Sequence, residues 1–184
     1  MFLSSALKQA GALVKREVPI PELQQLTTQL PTYDECDTNP RETLHSVEAI
    51  MDVVAHFPTG EELLLDASIR NPMATRYATA AFSTAGFAAD SGEQDKLTRY
   101  PTTKGKSVIP CVIESFGRIG TRFLSLIDHI ALLTRSFHSE LAGCSRNTKQ
   151  DLLVDLSATI NKSIAKNYAS NACGAAHYDA PPHA

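Results

Sequence analysis

Hydrophobic residues at the start of the chain recur every three or four positions, which is the spacing of one face of a helix. This spacing predicts an amphipathic helix over residues 4–16, and Lys8 within the apolar run argues against a signal peptide. Pro19 and Pro21 then force extended backbone. Residues 30–43 are rich in Pro, Asp, Asn and Thr, so we expect a polar surface loop or linker there.

Two short apolar runs follow, and each of them contains a single acid. Asp52 lies in the first run, and Asp66 lies in the second, LLLDASIR. Pro58 and Gly60 lie between the runs, in a segment typical of a tight turn. The pattern therefore predicts two strands joined in a hairpin.

The second half of the chain begins with a predicted helix and one further strand. Residues 74–100 are rich in Ala and aromatic residues and favour helix, which Gly86 and Gly92 either weaken or divide in two. Residues 107–117 form an apolar run that predicts a buried strand, and Pro110 within it indicates an edge position or a bulge.

Helical periodicity returns in residues 118–137 and again in residues 148–168, whereas residues 171–184 have no periodicity and are expected to fray. The resulting order of helix, strand, strand, helix, strand, helix, helix predicts an α/β or α+β domain with a small mixed sheet. The alternative is a helical scaffold with an incidental hairpin, which requires that the strands do not pair into one sheet.

Length and composition limit the range of functions. The chain has 184 residues, of which 43% are hydrophobic, and its net charge is −3. These values suit one globular domain and leave any nucleic-acid binding to a local basic patch. No run of 18 or more apolar residues is present, so we expect no membrane-spanning helix and no membrane partner.

The cysteines and histidines form no metal-binding pattern. The six histidines include no pair at ligand spacing, so a zinc site is not expected. The sequence also lacks a P-loop, a dinucleotide-binding glycine pattern, a nucleophile elbow and a His-Glu-x-x-His run. Four cysteines are scattered without a Cys-x-x-Cys pair, which fits a reduced, intracellular compartment: Cys36, Cys111, Cys144 and Cys173.

Acids within the apolar runs are the first candidates for chemistry. A carboxylate in an apolar strand is costly unless it is paired, hydrogen-bonded or bound to a metal. Asp52 and Asp66, on neighbouring strands, offer the oxygen ligands that Mg²⁺ prefers. The alternative is that one or both cap a turn or face solvent. Glu114, at the end of the third apolar run, is either a metal ligand or a supporting group, or it bonds the helix that begins near Arg118.

Basic residues near the end of the predicted helix are the second set of candidates. Lys96 would neutralise charge on a phosphate or position an attacking water, although most helical lysines are simply solvated. Arg99, Lys104 and Lys106 form the densest positive cluster in this half of the chain. They suit a phosphate backbone, or they belong to an ordinary polar loop.

The order of these signals resembles a known family. A series of segments is similar to the restriction-like endonuclease region of certain non-LTR retrotransposon reverse transcriptases. In chain order the segments are D-V before a turn, L-L-L-D-A-S-I before a helix, then K-L-T-R-Y, and then V-I-P-C-V-I-E-S-F-G-R-I-G. That region carries a variant of the nuclease signature Pro-Asp, a spacer, Asp or Glu, then Lys. Thirteen residues separate Asp52 from Asp66 here. The family lysine is often displaced into the following helix, within a Lys-x-x-Lys-Tyr-like run that Lys96, Arg99 and Tyr100 resemble.

The resemblance implies a restriction-endonuclease-like fold of the PD-(D/E)xK type and a DNA endonuclease that depends on Mg²⁺ or Mn²⁺. It implies that Asp52 and Asp66 hold the metal and that Lys96 orients or polarises the scissile phosphate. Glu114 would be an accessory at most. The implied partner is DNA, with RNA also in the parent element, and the implied location is intracellular, in the nucleus.

Two positions depart from the family pattern. Met51 stands where the family usually has Pro, and Ser68 stands where the ordinary nuclease signature has Lys. The family's upstream Cys/His cluster and polymerase are not in the sequence, so we expect a fragment or a domesticated relic of a retroelement protein. The resemblance covers residues 47–133 and suggests three parts: a helix and polar linker (1–44), an endonuclease-like domain (45–170) and a frayed tail (171–184).

Two function hypotheses follow from this resemblance. In the first, the chain is an active metal-dependent DNA endonuclease, which requires Asp52, Asp66 and Lys96 to lie within reach of one metal ion. In the second, the scaffold is catalytically inactive and serves as a nucleic-acid-binding or interaction module. A lysine that points away from the two acids would favour the second hypothesis.

Overall fold

The computed structural model describes residues 2–28, 44–140 and 149–174. These residues form four strands and five helices in a mixed arrangement. In chain order the elements are α1 (Phe2–Gln9), β1 (Leu13–Thr28), β2 (Leu44–His56), β3 (Glu62–Arg70), α2 (Thr75–Ser83), α3 (Phe87–Arg99), β4 (Val108–Glu114), α4 (Thr121–Glu140) and α5 (Lys149–Gly174).

The strands form one mixed sheet in the order β1-β2-β3-β4. β1 and β2 are antiparallel, as are β2 and β3, whereas β3 and β4 are parallel. The parallel pair needs a crossover connection, which α2 and α3 supply. This sheet confirms the predicted mixed α/β class and the predicted hairpin, and it excludes the alternative of a helical scaffold with an incidental hairpin, because all four strands pair into one sheet.

Proline marks both edges of the sheet, because it cannot donate to a strand ladder. Pro19 and Pro21 lie in the edge strand β1, and Pro110 lies in the opposite edge strand, β4, next to Asp66 in the register. The predicted edge position of Pro110 is therefore confirmed.

The N-terminal helix is shorter than predicted, since α1 ends at Gln9 and not near Arg16. Gly11 adopts a positive φ of 85°, a conformation that glycine takes at little cost and that ends a helix. A Cβ at Gly11 would lie 2.7 Å from the ring of Phe137, so the close approach also requires glycine. The chain then enters β1. This strand was not predicted, because its first apolar residues continue the helical spacing of α1.

Residues 2–28 thus pair and pack with the rest of the sheet, although the sequence predicts a separate helix and linker over residues 1–44. The predicted polar loop, residues 30–43, lies outside the described residues, as do Cys144 and residues 175–184 of the predicted tail.

The remaining helices follow the predictions with shifted ends. The helix predicted over residues 74–100 divides at Gly86, whose φ is 91°, and Gly92 lies inside α3. α4 begins three residues after its predicted start, and α5 continues to Gly174, six residues past its predicted end. Within the described residues, no helix is both long and apolar enough to cross a membrane.

Two hydrophobic clusters lie on opposite faces of the sheet. Helices α1, α4 and α5 cover one face, where Leu65 packs with Leu7 and Phe123. On the other face Leu64 packs with Tyr100, which directly follows α3. The alternation of strand side chains explains how neighbouring leucines serve different clusters.

Buried carboxylates hold α3 and α4 at their N-termini. Glu114, at the end of β4, accepts hydrogen bonds at its Oε1 from the backbone N–H groups of Ala88 and Ala89, at 3.1 and 3.2 Å. Its side chain therefore caps α3, while its backbone N–H donates to the Arg118 carbonyl at 2.7 Å, and its role as a metal ligand or supporting group stays a prediction. A carboxylate at this position also complements the helix dipole.

Glu93 on α3 caps the N-terminus of α4 in the same way. Its oxygens accept hydrogen bonds from the backbone N–H groups of Arg122 and Phe123, at 3.0 and 3.1 Å. Burial raises the pKa of Glu93 above its ordinary value, and these backbone hydrogen bonds oppose the rise. α3 is thus anchored to β4 at its start and to α4 at its middle.

We predict that Glu93→Ala lowers the free energy of unfolding by about 2–3 kcal/mol, because it leaves buried N–H groups at the start of α4 without partners. Asp90→Ala is the matched control on the same helix. Asp90 is exposed and accepts one hydrogen bond of 3.2 Å from the Thr121 hydroxyl at the surface, so its removal should cost less than about 1 kcal/mol. Urea denaturation measures both, and equal losses would contradict the capping role.

A second prediction concerns pH. Because the pKa of Glu93 is raised on folding, the folded state binds this proton more tightly than the unfolded chain. The stability of the wild type should therefore fall, relative to Glu93→Gln, as pH rises above the ordinary pKa of a glutamate, about 4.3. Other titrating groups are common to both proteins and cancel in the comparison. A stability difference that is independent of pH would show that Glu93 does not titrate as described.

Candidate active site

The sheet opens into a fork at Asp52. The β2–β3 ladder ends at the pair Val53↔Leu65; beyond it, β2 continues to pair with β1, and β3 continues to pair with β4. At the opening, the Asp52 Oδ2 atom accepts a hydrogen bond of 2.7 Å from the backbone N–H of Ala67. The side chain of Asp52 thus takes the acceptor role that a backbone carbonyl would fill in a continuous ladder.

A local irregularity in β1 lies opposite this fork. Glu17 falls between the register pairs Arg16↔Val53 and Val18↔Met51, which places it opposite Asp52. Its φ of 51° is left-handed, and a residue with a side chain adopts this region at a cost of about 1–2 kcal/mol. Strained backbone of this kind concentrates at functional sites.

The strand β2 changes faces at the same point. Val53 and Ala55 belong to the cluster under α1, α4 and α5, whereas Ala49 and Met51 belong to the cluster near Tyr100. A regular strand would keep these alternate positions on one face. Asp52 therefore sits where the alternation along residues 49–55 of β2 breaks, which explains how a carboxylate fits this apolar part of the strand.

Asp66 and Lys96 form a buried ion pair across the sheet–helix interface. The Lys96 Nζ atom on α3 lies 2.5 Å from the Asp66 Oδ2 atom on β3. Lys96 is only 5% exposed, and Asp66 is only 7% exposed. Burial raises the pKa of Asp66, the nearby negative charge of Asp52 raises it further, and Lys96 opposes both effects.

Tyr100 and Cys111 complete the surroundings of this pair. Both are buried, and burial together with the charge of Asp66 raises the pKa of the Tyr100 hydroxyl and of the Cys111 thiol. Both groups are therefore neutral near pH 7, and Cys111 is a buried free thiol. Asp52, Asp66 and Lys96 are the charged groups of the site.

This donor set fits a hard divalent cation with two protein ligands. Asp52 gives one oxygen to the Ala67 N–H, and Asp66 contacts Lys96, Tyr100 and Asp52, so a cation would take the carboxylate oxygens that these contacts do not use. Mg²⁺ is commonly held by one or two carboxylates, with water and phosphate completing the octahedron. In the described part of the chain, no three His, Cys, Asp or Glu side chains are grouped to hold a metal by themselves.

The three predicted phosphate-binding residues differ in their distance from this group. Arg99 is exposed but adjoins the site, because its side chain hydrogen-bonds Tyr100, which also contacts Asp66. Lys106 forms an ion pair of 3.1 Å with Glu62, the first residue of β3, and Lys104 is exposed, with a positive φ of 51° in the turn before β4. The role of all three in binding phosphate stays a prediction.

A cavity of about 520 Å³ adjoins the fork and was not foreseen from the sequence. Asp52 lines it, whereas Asp66 and Lys96 lie outside the lining. Its walls come from α1, β3, β4, the first turn of α4 and α5, which are distant in sequence, and no local pattern marks them. The lining residues are Phe2, Leu3, Asp52, Ala67, Ser68, Ile69, Cys111, Ile113, Glu114, Ser115, Phe123, Leu156, Thr159, Ile160 and Ser163.

A double-mutant cycle should reveal the buried pair. Lys96→Met and Asp66→Asn should each destabilise the fold by about 3 kcal/mol, because each leaves a buried polar or charged group without its partner. The double variant should cost less than the sum, with a coupling energy of about 2 kcal/mol or more. The exposed pair Arg76–Asp95 is the control, and its coupling should stay below about 1 kcal/mol. Similar couplings for the two pairs would refute the burial argument.

Comparisons of the chain with protein-family models, with curated proteins and with solved structures find no match.

Proposed function

We propose that this protein is a divalent-metal-dependent DNA endonuclease with a restriction-endonuclease-like core of the PD-(D/E)xK type. The observation that carries the proposal is the meeting of Asp52, Asp66 and Lys96 from three separate elements, β2, β3 and α3. The family resemblance names the same three residues. We further propose a retrotransposon origin, on the resemblance alone.

The relative position of the three residues supports the proposal because it brings two carboxylates and one ammonium group together inside the protein. Asp66 and Lys96 are thirty positions apart in the sequence, yet their charged groups are in direct contact inside the protein. A solvated surface lysine would not be 5% exposed, and a buried pair offers no assured gain in stability. A site that handles a phosphate and a cation would account for the retention of all three charges.

Asp52 and Asp66 would hold Mg²⁺ or Mn²⁺ between them. When bound, such a cation supplies charge neutralisation and lowers the pKa of a coordinated water. Asp52 is held rigidly for this task, since the Ala67 N–H fixes one of its oxygens.

Lys96 would stabilise negative charge that develops on the scissile phosphate. Its position is set by the hydrogen bonds of Glu114 and Glu93, which fix α3 at its start and its middle. Lys96 would also keep Asp66 ionised in a buried setting, because its positive charge offsets the cost of burial.

One observation favours a catalytically inactive relic as the second candidate. The contact between Asp66 and Lys96 is short and buried, so the two groups neutralise each other in the structure. A protein that had lost catalysis would keep such a pair for structural reasons alone. It would then serve as a nucleic-acid-binding or interaction module.

Nicking of supercoiled plasmid in the presence of Mg²⁺ separates the two candidates. We expect nicking by the wild type and a loss of at least about 100-fold in Asp52→Asn, Asp66→Asn and Lys96→Met, because each removes a charge that acts on the metal or the phosphate. Chelation of the metal should abolish the activity of the wild type. Activity should also decline at low pH, since the raised pKa of Asp66 leaves its carboxyl protonated there.

Asp95→Asn is the matched control. Asp95 lies on α3 one residue before Lys96, but its carboxylate pairs with Arg76 on the surface. Its removal should leave nicking within about twofold of the wild type. Equal nicking by the wild type and by a protein without both Asp52 and Asp66 would refute the endonuclease assignment, and a folded wild type that never nicks would favour the relic.

A further inference from the structure

We infer that Tyr100 is a positioning residue: its buried hydroxyl group holds the Asp66 carboxylate in the orientation that lets it bind a cation while it pairs with Lys96. This inference deepens the proposed function and rests on it for the presence of the cation. Tyr100 directly follows α3 and is only 6% exposed. Its hydroxyl group hydrogen-bonds both the Asp66 carboxylate and the side chain of Arg99.

The chemistry of these three groups determines the direction of each hydrogen bond. An arginine side chain only donates hydrogen bonds, and an ionised carboxylate only accepts them. The Tyr100 hydroxyl has a single proton, so it accepts from Arg99 and donates to Asp66. Arg99, which is exposed, thereby turns the proton of the buried hydroxyl towards Asp66. The donor that Asp66 receives from Tyr100 thus has a fixed direction.

The last turn of α3 joins Tyr100 to Lys96. The backbone N–H of Tyr100 donates to the Lys96 carbonyl at 2.9 Å, so the two residues are neighbours along the helix axis. Both side chains contact Asp66 on the facing strand, β3. The hydroxyl and the ammonium group therefore approach Asp66 from one hydrogen-bonded turn, which limits how far the carboxylate can rotate.

Asp52 approaches Asp66 from the other direction, that of strand β2. The two carboxylates interact directly, and their like charges repel unless a cation lies between them or one of them takes up a proton. The Ala67 N–H fixes Asp52, and Tyr100 would fix Asp66 in the same manner. Groups that hydrogen-bond a ligating carboxylate orient it, and their removal typically costs about 10–100-fold in metal affinity.

Packing alone does not account for a tyrosine at this position. The ring of Tyr100 packs with Leu64 and Met51, and a phenylalanine would make the same apolar contacts. The hydroxyl has two possible uses: it either compensates only the burial of Asp66, or it also positions this carboxylate for a cation. Both uses stabilise the fold, so stability does not separate them, whereas the affinity for a cation does.

Binding of Mn²⁺ in the absence of DNA, followed by the electron paramagnetic resonance of the free ion, is the first readout. Tyr100→Phe should lose about tenfold or more in Mn²⁺ affinity, because the Asp66 carboxylate is no longer held. Tyr77→Phe is the matched control: Tyr77 is 3% exposed, and its hydroxyl has no hydrogen-bond partner within the described residues. Its affinity should equal that of the wild type. A Tyr100→Phe protein that is less stable but binds Mn²⁺ equally well would overturn the inference.

The dependence of plasmid nicking on Mg²⁺ concentration is the second readout. Tyr100→Phe should need about tenfold more Mg²⁺ for half-maximal nicking and should approach the wild-type rate when Mg²⁺ is saturating. Lys96→Met should instead stay slow at every Mg²⁺ concentration, because it lacks the charge that acts on the phosphate. A lowered maximal rate with unchanged Mg²⁺ dependence in Tyr100→Phe would overturn the inference and leave the endonuclease assignment in place.

A measurement on the wild type covers the case in which Tyr100→Phe does not fold. The chain has five tyrosines, so a protein labelled with ¹³C at the tyrosine ζ carbon gives a simple spectrum. Added Mg²⁺ should shift the signal of one tyrosine in the wild type, and this shift should be lost in Asp66→Asn. A wild type that binds Mg²⁺ without a shift of any tyrosine signal would overturn the inference.

Failure of the proposed function would give a different result. Binding of Mn²⁺ that depends on Tyr100, without cleavage of any DNA, would refute the endonuclease assignment and keep the positioning role of Tyr100 in a cation site. A folded wild type that binds no Mn²⁺ would refute both.

Discussion

A buried charge has to be compensated, and three buried carboxylates in this protein find their compensation around one helix, α3. Asp66 forms an ion pair with Lys96 on that helix, and Glu114 caps the first turn of the helix. Glu93 lies on the helix and caps α4. Unpaired, each of these acids would cost several kcal/mol inside the protein. The position of α3 against the sheet is therefore determined by electrostatics as much as by apolar contact.

This constraint decides where Lys96 can act. A helical lysine usually reaches into solvent, and its position varies with its many rotamers. Here the helix is held at its start and its middle, and Lys96 points at the sheet, where β2 and β3 separate. The fork in the sheet brings Asp52 to the same place, because the ladder ends one residue before it and its carboxylate takes the free N–H of Ala67. The strained φ of Glu17 lies opposite this fork.

Local patterns in the sequence predicted the hairpin, the helical second half and the edge position of Pro110. These features depend on neighbouring residues, such as the turn around Gly60 and the regular spacing of apolar residues in α4. The strand β1 was missed because the apolar residues near Val14 continue the spacing of α1. Only the positive φ at Gly11 and the packing of Phe137 against it show why the helix stops.

The sequence by itself determined which residues could carry chemistry, because an acid in an apolar run has to be paired, capped or bound to a metal wherever the run lies. It therefore identified Asp52, Asp66 and Glu114 as residues that need an explanation. The tertiary structure decided which explanation applies: Glu114 caps the start of α3, and Asp66 forms an ion pair with Lys96. The cavity at Asp52 is also a tertiary feature, since its walls come from both ends of the chain. The physical reason is that compensation of a buried charge depends on distances of a few ångströms, and only the packing of the elements sets those distances.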